Sequence, residues 1–133
     1  MALTYEQADK ALQAAVAKAQ EMGITLGISV VDAGGQLMAM ARMTGANGAT
    51  ADVSAGKARV SAMYGVPSAA MAERLPANIV NAMITAHNGR LVYSLGGVPI
   101  KAGDEVIGGI GASGSAPDND ELCSKVGADA VSG

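Results

Sequence analysis

Three places in this 133-residue chain carry side chains that can do chemistry: Lys57, His87 and the acidic run Asp118-Asn119-Asp120-Glu121. Lys57 shares one helical stripe with Val53, Val60 and Tyr64, spaced at steps of four, three and four. A lysine on that stripe points toward the domain, a pocket or an interface edge. Desolvation would lower its pKa and make the amine a base or a Schiff-base nucleophile. The plainer reading is a buried stem with the ammonium in water or in a salt bridge. Arg59 falls about 200° around the same helix and belongs to the solvent or an interface.

In the acidic run, Asp118 with Glu121 has the spacing of a capping box, which explains both. Asp120 is not needed for that cap and is the better functional candidate. Lys57 and Asp120 together make the candidate acid/base pair. His87 is the only imidazole, so it alone could shuttle a proton near neutral pH or ligate iron. A solvated turn residue is its plain reading. Eight methionines offer soft sulfur, although filling gaps in a core is their usual work. Cys123 reads as a buried, inert thiol.

Glycines gather around these groups. Gly96-Gly97-Val98-Pro99-Ile100 reads as a loop or edge piece, because proline cannot donate within a central ladder. Gly109-Ile-Gly111-Ala-Ser-Gly114 matches the dinucleotide pattern of three spaced glycines. Only 19 residues follow, too few for the strand that carries the ribose-binding acid, and the next helix opens on carboxylates that would repel phosphate. Two readings stay open for this stretch: a strand backbone in close approach to a helix, or a cradle of amides for a ligand. The ligand-binding candidates are Gly96, Gly97, Val98, Pro99, Gly111, Ser113, Gly114, Tyr64 and His87.

The elements that must position these residues follow from periodicity. Thr4 and Gln7 predict a capped first helix that Gly23 stops. Ile24–Asp32 and Gln36–Met43, joined by Ala33-Gly34-Gly35, predict a hairpin, with a bulge or close approach at Gly27. A second helix runs from Thr50 to Tyr64 and a short one from Ala77 to Ala86, with Ile79, Val80, Met83 and Ile84 as its apolar face. Leu91–Leu95 and Glu105–Ala112 predict strands, and Asp118–Val131 a last helix. Strands joined by short turns pair antiparallel. The expectation is one α+β domain over 1–133, a two-layer arrangement of about five antiparallel strands with helices packed on them.

Composition narrows the function classes. Gly and Ala make up 45 residues and Phe and Trp are absent, so small side chains must build the interior. The net charge of −3 and the lack of a basic patch argue against nucleic acid. No apolar run is long enough to span a membrane. Glu6 and Asp9 stand where a secretory leader would need basic and then apolar residues, so a cytoplasmic protein is expected. One cysteine and one histidine exclude an internal disulfide and a Cys- or His-rich metal cluster within one chain.

The paired GGVPI and GGIGASG elements, with Lys57-Ala58, the Val31–Gly35 hairpin and Asp120 at the last helix, resemble the GlcG/HbpS family over essentially the whole chain. The resemblance implies an antiparallel sheet flanked by helices and homo-oligomers from dimer to octamer. It implies haem as the cofactor to consider, as in haem-binding and haem-degrading members and the similar PduO C-terminal domain. The expected function is therefore small-molecule or tetrapyrrole binding, with a small-molecule ligand and copies of itself as partners. The alternative is a cofactor-independent lyase, hydratase or isomerase of an oxygenated catabolite, with Lys57 and Asp120 as acid and base and glycine amides stabilising an oxyanion.

Overall fold

The computed structural model describes residues 1–132. Helix α1 (Tyr5–Met22) begins at Thr4, whose hydroxyl accepts from Gln7 N–H while the Gln7 side chain accepts from Thr4 N–H. Gly23, at φ +70°, ends it in the left-handed conformation that costs glycine least. Then follow β1 (Gly27–Asp32), β2 (Leu37–Arg42), α2 (Ala49–Tyr64), α3 (Ala70–Arg74), α4 (Ala77–Ala86), β3 (Gly97–Ala102), β4 (Glu105–Ser113) and α5 (Pro117–Asp129). Among the described residues, no helix is long and apolar enough to cross a membrane.

The four strands form one antiparallel sheet in the order β2-β1-β4-β3. The fold is α+β, with the sheet flanked by helices. Alternation sorts the two faces. Ile28, Val30, Ile110 and Ala112 join Ala8, Ala11, Leu12, Ala15 and Cys123 in the main core, under α1 and α5. Val31 packs with Ala58 and Ala62 of α2 on the other face, where Ser29 and Ser54 share a 2.8 Å hydrogen bond. Helices therefore cover both faces of the sheet.

Among the described residues four strands form where about five were expected. Leu91–Leu95 is irregular, and β3 instead takes in the GGVPI segment. Pro99 fits there because β3 is an edge strand, where a missing donor leaves no central bond unmade. The apolar 91–95 run straps over α2: a Cβ on Gly56 would come within 2.5 Å of Val92. The Asp118–Glu121 capping box does not form. The helix starts one residue earlier, with Ala116 at the cap and Pro117 just inside, which moves Asp118 into the first turn. Helix α3 forms in the stretch between the two predicted helices, for which no element was predicted. On α4 only Val80 is buried, and Ile79 stays 43% exposed.

The glycines of β4 explain how α2 sits so low. A Cβ at Gly109 would collide with the Ala58 carbonyl, and one at Gly111 with the Ser54 carbonyl and, at 2.7 Å, the Ala58 nitrogen. Gly27 likewise touches Thr50. Neither partner at Gly111 is a flexible side chain, so the helix itself would have to lift. Gly111→Ala should destabilise the chain by about 3 kcal/mol or more. Gly23→Ala, which meets nothing within 4 Å, should cost about 1 kcal/mol from its backbone angle alone. Denaturant unfolding of the two variants checks the contrast.

Candidate functional site

Packing α2 on β4 and β3 leaves Lys57 little freedom. Its Nζ donates to the Ala112 carbonyl at 2.9 Å and lies 3.6 Å from Asp120 Oδ2. The two side chains are 5% and 4% accessible. Asp120 Oδ1 accepts the Ser115 N–H at 3.0 Å. Gly96, at φ +140°, clears the space: a Cβ there would stand 2.5 Å from the Ala112 carbonyl and 2.7 Å from Lys57 Nζ. Gly97 lies against the Lys57 carbonyl. Its N–H donates to Ser68 Oγ at 2.8 Å, and Ser124 Oγ donates to the Gly96 carbonyl at 2.6 Å.

Lys57, Asp120, Gly96, Gly97, Gly111 and Gly114 thus converge on one closed centre. The backbone amides there are mostly committed within the protein. Val98 belongs to the main core, Pro99 pairs with Gly109, and Ser113 pairs with Gly27 at the end of β4. Burial pulls the Lys57 amine below the usual lysine range, with Asp120 opposing the shift. Burial also pushes the Asp120 carboxyl up, against the Ser115 amide and Lys57. Each charge is costly alone; Asp120 compensates Lys57, while the Ser115 amide and then Lys57 compensate Asp120.

Tyr64 and His87 lie elsewhere. The Tyr64 ring sits 6.3 Å from Tyr93, whose buried hydroxyl has no hydrogen-bond partner among the described residues and whose pKa burial pushes up. His87 ends α4, with Nδ1 3.0 Å from the Met83 carbonyl. A carbonyl only accepts, so Nδ1 carries the proton and Nε2 is left free. The ring borders a cavity of about 230 Å³ with Gly34, Gly35, Arg59, Met63 and Arg90. A second cavity, about 400 Å³, is bordered by Asp52, Val53, Gly89 and Val92 and shares Arg59 and Arg90 with the first. Arg59 Nε donates to the Gly35 carbonyl at 3.2 Å and Nη1 to the Arg90 carbonyl at 3.3 Å.

Sequence reasoning placed Arg59 away from Lys57, correctly, but did not join it to Arg90, Met63 or the Gly34–Gly35 turn. No spacing signals a meeting of residues 31 positions apart. The one usable hint is Asp32, whose carboxylate accepts from Gly34 and Gln36 N–H and so builds a rigid turn.

A sheet flanked on both faces, with a closed lysine–aspartate centre and a separate cleft bordered by two arginines, defines an α+β domain of a recognisable class. The chain belongs to the family described as haem-degrading protein HbpS-like, which it matches over residues 3–129. It is 32% identical to an uncharacterized 15.0 kDa protein of Citrobacter freundii, from the dhaT-dhaS intergenic region, over 98% of this chain and 92% of that protein. The structure of an HbpS double mutant from Streptomyces reticuli superposes with a TM-score of 0.87 at 28% identity, covering all of this chain and 89% of the other. Klebsiella pneumoniae protein ORFY gives a TM-score of 0.88 at 25% identity, over 97% of this chain and 90% of that one.

The ion pair makes a prediction with a definite sign. Lys57→Met removes the attraction that holds Asp120's pKa down, so that pKa should rise further above 3.8. The folded chain then keeps its proton longer than the unfolded chain. Asp120's contribution is fullest below 3.8 and is lost as pH rises through the folded value. Unfolding of Lys57→Met should show about 3 kcal/mol less stability near neutral pH than near pH 4, relative to the native chain. Lys57→Met/Asp120→Asn should remove that slope, and the Asp120 carboxyl carbon shift reads the pKa directly.

Proposed function

We propose that this chain binds a tetrapyrrole, haem first among them, as a homo-oligomer. The observation that carries the reading is His87, with Nε2 free, on a cleft that also holds the Met63 thioether. An imidazole nitrogen and a thioether are a fitting donor set for haem iron. Family membership points the same way, because the matching family is described by haem degradation. Haem, when bound, would supply a redox-active iron. The chain's part is to hold the imidazole tautomer through the Met83 carbonyl and to border the ligand with Met63 and Leu91.

The cavity within one chain is smaller than a porphyrin, so part of the macrocycle would lie against a second copy. Helix α4 ends at His87 and leaves Ile79 in solvent, the kind of surface a second copy would cover.

A second reading keeps Lys57 and Asp120 as an acid/base pair of a small cofactor-independent enzyme acting on an oxygenated catabolite. The 3.6 Å separation of their head groups favours it. Hemin binding that survives Lys57→Met, beside a turnover that does not, would assign the two sites to separate tasks.

Hemin added to the purified protein should give a shifted Soret band, and His87→Ala should weaken binding at least about tenfold. Absence of the shift, or an unchanged spectrum and affinity in His87→Ala, would overturn the haem reading. Sedimentation should find an oligomer that Ile79→Lys converts to a smaller species that remains folded by circular dichroism, with a Tm no longer dependent on protein concentration. A monomeric native chain would refute the homo-oligomer.

A further inference from the structure

The second cavity has a chemistry of its own. Half of the four arginines and the only histidine border the paired cavities, in a chain of net charge −3. Arg59 and Arg90 form the wall common to both, and Arg90 is exposed. Asp52, on the first turn of α2, offsets only part of their charge. His87 stands on the first cavity and adds no negative charge. Two guanidiniums and one carboxylate bordering the same cavity leave a net positive charge in a concave place.

Arg59 is held rather than mobile. Its Nε is spent on the Gly35 carbonyl and Nη1 on the Arg90 carbonyl, so the guanidinium plane is fixed and Nη2 remains free. Burial and the neighbouring Arg90 both make its proton harder to keep, and only Asp52 opposes them. An anion placed there would relieve the strain between the two cations. Guanidinium forks match planar two-oxygen anions. The remaining wall is apolar, made by Val53 and Val92. At about 400 Å³ the space falls within the size range of small-molecule sites, about 300–1,000 Å³.

We propose that the Arg59–Arg90 cavity is a binding site for a small organic carboxylate, with the carboxylate on the two guanidiniums and the apolar body on Val53 and Val92. The site shares its arginine wall with the first cavity but needs neither His87 nor iron, so a failed hemin titration leaves it untouched.

The test is an NMR titration of the full chain at constant ionic strength, following the Gly35 and Gly89 amides and the arginine Nε–H signals. Sodium butyrate should shift these signals saturably, and butyramide, of the same shape without the charge, should bind at least about tenfold more weakly. Arg90→Gln changes an exposed side chain and should keep the fold. It should weaken butyrate at least about tenfold, as should Arg59→Lys, which loses the fixed guanidinium and its free Nη2 donor. Equal binding of butyrate and butyramide, or full affinity in Arg90→Gln, would overturn the proposal. Inorganic phosphate matching butyrate at these signals would also overturn it, because the apolar wall would then contribute nothing.

Discussion

The close seating of α2 on the glycine backbone of β4 is the constraint on which the rest depends. Side chains normally hold packed layers apart, by about 10 Å between stacked sheets. Here Gly109 and Gly111 remove them, and the Ser54 and Ala58 backbone takes their place. A core without Phe or Trp loses large apolar surfaces, and it regains contact through backbone-to-backbone packing and small residues. The alanine stripe of α1 does the same against α5, where Gly127 meets the Ala11 carbonyl.

That seating decides where Lys57 goes. Its stem lies close over the sheet, so the ammonium is delivered to the end of β4, at the Ala112 carbonyl and Asp120. Burial acts on both charges in the direction of neutrality, while their attraction acts against it. A transferred proton would leave the pair with the same net charge of zero. The centre can therefore hold two protonation arrangements without exposing an uncompensated charge, a property that suits acid/base work as well as a buried structural link.

Much of this was legible along the chain, because it rests on local rules. The Thr4–Gln7 box and the glycine stop mark α1 without reference to anything distant. The stripe of Val53, Lys57 and Val60 correctly turned Lys57 inward, and Asp120 stood out because a cap did not need it. The failures have tertiary causes. Leu91–Leu95 has a strand's composition but spends it covering Gly56 and Tyr64. GGVPI reads as a loop or an edge piece, and the sheet takes it as its edge strand, where the proline is harmless. The Asp118–Glu121 pattern is displaced by Pro117, which sets the helix start one residue earlier. Glycines at 109 and 111 leave close approach and an amide cradle both open, and only the packed helix shows that its backbone fills the space.

Lys57 and Arg59 are two residues apart and serve opposite sides of one helix. The angular step of an α-helix sends the first to the closed centre and the second to the open cleft. Any movement of α2 would disturb both, yet the glycine contacts leave it nowhere to settle deeper and no flexible side chain to slide on. Arg59 is therefore aimed by the same packing that buries Lys57. Its partner Arg90 follows from the strap, whose carbonyl at 90 and side chain at 92 both bear on α2. A cleft built this way is arranged before any ligand arrives, so binding spends little energy on ordering its walls. The glycines that determine the core thus also fix the geometry of a cleft that none of those in β4 touches.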